Sequence, residues 1–253
     1  MLTMKYKQIL CASVLPVLVL ASSACSRSGE EGTRERARET VPPATAVNKM
    51  ASVRFIDADK VADELWFGDM KLFSDVEKNA VSKYKEAPAE RHEFELMPAG
   101  STPAAKPLAK NSEGLDAGKF YTVIAFNDST KKEEPTLRVV NDDTSAPATG
   151  KAKVRIIHAA PGMEGIDVYA SGRKDKLAGE TRFTSSSNWQ EVDPTDTSIE
   201  IRTTNDKEGI VRLPNFHLEA DKLYTFVVMG GEKEGTKLRV VPIVDSASRR
   251  TRG

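Results

Sequence analysis

The sequence predicts an all-β chain: two tandem immunoglobulin/fibronectin-like β-sandwich domains behind a signal peptide and a disordered tether. Three observations point there. A string of short motifs recurs once along the chain, from 101 positions apart at Val53 and Val154 to 105 at Ser82 and Ser187. The segments carrying those motifs are short, rich in Val, Ile, Phe, Tyr and Thr, and punctuated by Gly, Pro, Asn or Asp. No segment of the repeats sustains a 3.6-residue apolar period over ten residues or so, so helices are not expected.

Taken in order, residues 1–24 are a secretory signal peptide. Lys5 and Lys7 form a positive start, Ile9 to Ala21 is apolar apart from Ser13 and Pro16, and Ala21-Ser22-Ser23-Ala24 supplies small residues for cleavage. The apolar run is shorter than the roughly 20 residues that a spanning helix requires. Small residues immediately before Cys25 resemble the lipobox of bacterial lipoproteins. That resemblance implies an acylated Cys25 at the mature N-terminus and a lipid bilayer as the first partner. Ser22 stands where lipoboxes usually carry Leu, so ordinary cleavage after Ala24 remains the alternative. Cys11 lies inside the signal peptide, so a mature chain keeps one cysteine and forms no internal disulfide. Ser26 rather than Asp follows the cysteine, which in two-membrane bacteria resembles lipoproteins sent on to the outer membrane. Residues 25–50 mix charges with Val41-Pro42-Pro43-Ala44 and show no apolar period; this is the composition of a flexible tether.

The first repeat spans 51–143 and the second 151–245. Val53-Arg54-Phe55-Ile56-Asp57-Ala58 answers Val154-Arg155-Ile156-Ile157-His158-Ala159, and Glu64-Leu65-Trp66 answers Asp167-Val168-Tyr169. Ser82 to Glu86 answers Ser187 to Glu191, and Glu93-Phe94-Glu95-Leu96 answers Ser198-Ile199-Glu200-Ile201. The last two quartets alternate polar and apolar, which buries one strand face. Leu137-Arg138-Val139-Val140 answers Leu238-Arg239-Val240-Val241. The stretch from Asn141 to Gly150 has linker chemistry, with the linker proper at 144–150. A basic tail, 246–253, ends in Arg249-Arg250-Thr251-Arg252. Seven or so short strands per copy describe a sandwich. Leu115 with Tyr121, and Leu218 with Tyr224, repeat one spacing that suits a tyrosine corner, where the phenol bonds to backbone a few residues upstream.

Chemistry is sparse. Lys and Arg together equal Asp and Glu, 37 to 37, so no basic surface for nucleic acid is expected. The three histidines, His92, His158 and His217, are not shared between copies, and no metal-ligand spacing or phosphate loop occurs; no cofactor is expected. Ser185-Ser186-Ser187 lacks the flanking glycines of a nucleophile elbow and reads as a turn. His158 reads as a residue that closes a strand end onto its turn. The paired aromatics Trp66, Tyr84, Tyr169 and Trp189 read as core, with sugar stacking as the alternative.

Val154-Arg155-Ile156-Ile157-His158-Ala159-Ala160-Pro161, followed by Ile166-Asp167-Val168-Tyr169, resembles the opening of the bacterial domain-of-unknown-function family numbered 4397. The first copy departs from it, with Asp57 for the His and no Pro after Ala58. The resemblance implies fold and an exported, often lipid-anchored location, not a mechanism. The resulting expectation is a non-catalytic cell-envelope lipoprotein with a binding or structural role, meeting an envelope protein or glycan. An envelope hydrolase is the alternative. Mass spectrometry of the mature N-terminus should find an acylated Cys25; a chain starting at Ser26, or an unmodified Cys25, would refute the anchor.

Overall fold

In the computed structural model, the residues described are 49–247 except 59–60, 63, 78–79, 129–133, 205–208 and 231–236. The signal peptide, Cys25, the tether up to residue 48 and the arginines of the basic tail lie outside them; the tether's last residue, Met50, instead opens the first strand. Among the described residues every regular element is a strand. The first copy holds β1 (Met50–Asp57), β2 (Glu64–Phe67), β3 (Met70–Ser74), β4 (Lys85–Pro88), β5 (Arg91–Met97), β6 (Ala109–Gly114), β7 (Phe120–Asp128) and β8 (Glu134–Asp142). The second holds β9 (Ala152–Ala159), β10 (Gly165–Ala170), β11 (Lys176–Arg182), β12 (Gln190–Val192), β13 (Thr195–Thr203), β14 (Gly209–Leu218), β15 (Lys222–Met229) and β16 (Arg239–Ser246). Each copy has eight strands, one more than the motif count suggests.

The sheets repeat strand for strand. The first copy pairs β4-β1-β7-β8 in one sheet and β3-β2-β5-β6 in the other; the second pairs β12-β9-β15-β16 and β11-β10-β13-β14. Within each copy the opening strand runs parallel to the seventh, β1 with β7 and β9 with β15. A parallel pair needs a long crossover, and the intervening strands of the second sheet supply it. Alternation then sorts side chains. Val53, Phe55, Leu65, Phe94, Leu96 and Val123 fill the first core, and Val154, Ile156, Val168, Ile199, Ile201 and Phe226 fill the second.

A third core joins the copies. Ile56, Ala58, Ile124 and Phe126 pack with Ile157, Ala159, Val227, Met229 and Ile243. These residues lie on the opposite faces of β1, β7, β9, β15 and β16 from those that fill each sandwich. The β1/β7 sheet and the β9/β15 sheet therefore lie face to face, and their central strands are buried on both sides. That explains the near-continuous apolar runs in β7 and β15, which two-sided burial requires. The linker reading of Asn141 to Gly150 needs one correction: Asn141 and Asp142 belong to β8, and Asp142 is buried.

Asp142 belongs to a polar clasp inside this third core. Arg54 Nε donates to Thr122 Oγ1 at 2.7 Å, and Arg155 Nε donates to Thr225 Oγ1 at 3.0 Å. Each arginine then crosses to the other copy. Arg54 Nη1 donates to both carboxylate oxygens of Asp245, at 3.1 and 3.0 Å, and Arg155 Nη2 donates to Asp142. Asp142 also accepts from the hydroxyls of Thr122, at 2.6 Å, and Tyr84, at 2.8 Å. Tyr84 lies against the Arg54 guanidinium and Trp189 against that of Arg155. Burial and the Asp142 charge push the Tyr84 phenol well above its ordinary pKa, so it stays a donor. Removing one partner of a buried pair strands a charge, at a cost of about 3–5 kcal/mol. Asp142→Ala should therefore lower the urea-unfolding free energy by that order, and a loss under 1 kcal/mol would show that the clasp is not buried in solution.

Candidate functional site

A second polar constellation repeats on the outer face of each sandwich. Leu65 and Phe67 point into the first core, so Glu64 and Trp66, between them on β2, point outward. β2 pairs with β5, placing Trp66 beside Glu95, and β5 pairs with β6, placing Glu95 beside Lys110. On the second copy the same pairing sets Tyr169 beside Glu200 and Glu200 beside Arg212. Lys71 Nζ pairs with Glu64 at 2.6 Å, and Lys176 Nζ with Asp167 at 3.0 Å. Both outer faces therefore carry one row: a buried carboxylate held by a lysine, an aromatic ring, a second carboxylate, and a base.

The electrostatics follow from these pairs. The Lys71 ammonium, helped by Trp66 Nε1 and the Gly100 amide, holds the Glu64 carboxyl below its ordinary range against the pull of burial. Asp167 raises Lys176, Arg202 lowers Glu200, and Glu93 with Glu95 raises Lys110. The rows are internally paired.

Trp66 and Tyr169, expected in the core, point away from the two sandwich cores because strand alternation gives those cores to Leu65, Phe67 and Val168; the other motif residues singled out in the sequence fall elsewhere. Leu115 and Leu218 are buried in the first and second cores. The Tyr121 hydroxyl accepts from the Asp116 N–H at 3.0 Å, and the Tyr224 hydroxyl from the Glu219 N–H at 2.8 Å. Each thus ties the entry of a central strand, β7 or β15, to the turn before it. Ser82 and Ser187 accept from the backbone of β1 and β9, through Phe55 N–H and Ile156 N–H. His158 is fully buried. Its Nδ1 accepts from the Ala160 N–H at 3.3 Å, leaving Nε2 to carry the proton toward the Met163 carbonyl at 3.2 Å. Asp57, its counterpart, accepts from the Val61 N–H at 2.9 Å. The His and the Asp perform the same task, holding the turn after the opening strand, which is why one can replace the other.

His92 lies edge-on to Phe67. His217 Nδ1 bonds to Asp196 across the β13–β14 pair, with both side chains largely exposed. No group of three or more His, Cys, Asp or Glu among the described residues is placed to hold a metal ion. The matched acid and aromatic positions are legible as paired motifs; the bases Lys71, Lys110, Lys176 and Arg212 fall outside those motifs, and the convergence of all three on one face requires the strand registers.

Two eight-stranded sandwiches fused through a third core, each with the same outer row, define a duplicated all-β module. The family described as "Domain of unknown function (DUF4397)" matches residues 51–169 and again 152–253, and the chain belongs to this family. No curated protein matches the chain.

Burial lowers the His158 pKa from 6.5 to about 4. The unfolded chain therefore takes up a proton near pH 6.5 that the folded chain refuses until about pH 4. The stability this group confers is complete above pH 6.5 and falls as pH drops toward 4, by up to ~3 kcal/mol in all. His158→Gln should be less stable at pH 7 but flatter between pH 6.5 and 5, above the range in which the carboxylates titrate. Equal slopes for the two proteins in chemical unfolding would disprove the buried neutral imidazole.

Proposed function

We propose that this chain is an exported cell-envelope lipoprotein, held at a bilayer through an acylated Cys25, whose fused sandwiches act as a non-catalytic binding or structural module. The observation that carries the reading is the repetition of the outer row, Glu64–Trp66–Glu95–Lys110 and Asp167–Tyr169–Glu200–Arg212. A catalyst needs one constellation, whereas linked binding surfaces gain effective concentration from two. His158 supports the same reading, since both ring nitrogens are engaged in holding a turn. The partner class is an envelope protein or glycan.

The test is crosslinking in intact envelopes followed by capture of the full chain. Wild type and His158→Gln should recover the same partner, and Glu95→Lys combined with Glu200→Lys should lose it. Turnover on a panel of esters, glycosides and peptides should stay at background. Turnover abolished by His158→Gln would overturn the reading in favour of a hydrolase.

A further inference from the structure

A strand at the edge of a sheet presents unpaired N–H and C=O groups that invite a further strand, and proteins block such edges. Among the described residues the four sheets leave eight edge strands, and all but β6 carry a block. Proline interrupts β4 at Pro88, β8 at Pro135, β14 at Pro214 and β16 at Pro242. A register shift breaks the pairing of β3, whose Leu72 carbonyl is also capped by Lys85 Nζ at 2.8 Å, and that of β11, where Glu180 takes a φ of 56°. β12 has three residues. β6, Ala109-Lys110-Asn111-Ser112-Glu113-Gly114, has none of these features: its six residues pair with β5 in one unbroken register and contain no proline.

The register shows which backbone groups β6 offers. The Gly68 N–H donates to the Glu93 carbonyl, so Glu93 and Glu95 turn their backbone groups to β2 and Phe94 turns its own to β6. On β6 the inward groups are therefore those of Ala109, Asn111 and Glu113, and Lys110, Ser112 and Gly114 present theirs outward. Ser112 is exposed, and among the described residues no hydrogen bond reaches its outward groups. Asn111 holds the edge in place from the inner face, donating through Nδ2 to the Leu137 carbonyl at 3.1 Å. A lysine on an edge ordinarily repels a second strand, but Glu93 and Glu95 draw the Lys110 ammonium back over the sheet, at 2.7 and 2.8 Å. In the second copy Leu213 pairs with Ile199 as Asn111 pairs with Phe94, so Pro214 stands where Ser112 stands, beside a register shift and Asn215 at a φ of 52°. The same edge is open in one copy and blocked in the other.

We propose that β6 is a self-association surface: the β6 strands of two molecules of this chain pair antiparallel about a two-fold axis at Ser112. The occupant follows from the strand's own sequence. In that register Ser112 meets Ser112, Lys110 of one molecule meets Gly114 of the other, and Asn111 meets Glu113. No like charges face each other, and an amide meets a carboxylate. Moving the axis by one residue would set Glu113 against Glu113. A two-fold pairing of this kind closes after two molecules. Two open edges per chain would instead link molecules without end, and Pro214 removes the second. Joined at β6, two β3-β2-β5-β6 sheets become one, with both Glu64–Trp66–Glu95–Lys110 rows on the same outer face. The inference goes beyond the binding reading and does not rest on it, since it uses the edge strand's backbone and not the row.

The test is sedimentation equilibrium of the chain from residue 26 onward, at concentrations up to about 1 mM. Pairing of one edge strand makes a small interface, so the dimer's dissociation constant should be on the order of 0.1 mM. Ser112→Pro, which installs the second copy's residue, removes the two central hydrogen bonds and should weaken dimerisation at least about tenfold. Ser112→Asp and Ser112→Lys set like charges face to face at the axis and should each weaken it at least about threefold, with the far-ultraviolet circular dichroism unchanged. An equimolar mixture of those two variants should recover at least the wild-type constant, because a carboxylate then faces an ammonium. A monomer at the highest concentration, a dimer indifferent to Ser112→Asp, or a mixture no tighter than either variant alone would each overturn the proposal. A chain that is monomeric alone, and whose Ser112 amide gains hydrogen-exchange protection only with added envelope protein, would overturn it in favour of a foreign strand while leaving the broader binding function standing.

Discussion

The reciprocal arginine–aspartate exchange between the two sandwiches is the constraint on which the rest of the structure depends. Arg54 of the first copy reaches Asp245 of the second, and Arg155 of the second reaches Asp142 of the first. Apolar burial between two sheets is non-directional and would tolerate sliding. A guanidinium held by a threonine behind it and an aromatic ring beside it has one direction in which to donate. The clasp therefore sets the register of the Ile56–Phe126 face against the Ile157–Met229 face. The two charge pairs balance, so the buried region is neutral overall, and desolvation is offset by hydrogen bonds rather than by attraction alone.

This arrangement divides the polar residues into two populations. Those on the inner faces, Arg54, Thr122, Asp142, Arg155 and Thr225, are consumed in holding the copies together. Those on the outer faces pair with near neighbours, and of them the bases Lys71, Lys110, Lys176 and Arg212 reach solvent while Glu64 and Asp167 are buried. Duplication supplied both sets, but they have diverged differently. The inner set keeps the same residue types in both copies apart from Tyr84 and Trp189: each arginine bonds across to the other copy's aspartate, and a threonine of its own copy holds it in place. On the outer set Trp66 has become Tyr169, Met97 has become Arg202, and the connection to the next strand has shrunk from eleven residues to five.

Much of the fold is legible in the sequence because its signals are local. The alternation in Glu93-Phe94-Glu95-Leu96 and Ser198-Ile199-Glu200-Ile201 reports one buried face without reference to anything distant. The spacing of Leu115 with Tyr121 and of Leu218 with Tyr224 reports a turn closed within six residues. Asp142 was harder to place. It stands beside Asp143, Thr144 and Ser145 in a stretch with the composition of a linker, and nothing nearby announces that a guanidinium from β9 will meet it. Arg54 and Asp245 are separated by 191 positions, and no local pattern links them.

The sequence by itself determined the duplication, the all-β class, the strand faces and the chemistry available to each copy. Those properties follow from periods of two residues and from turn residues, and the chain carries both within a few positions. Only the tertiary structure decided that the copies share a third core, that a pair of matched arginines became an inter-sandwich clasp, and that acid, aromatic and base converge on each outer face. These depend on strand register and on which sheet meets which. Both are set by contacts between residues far apart along the chain, whose free energy appears only once the sheets are packed.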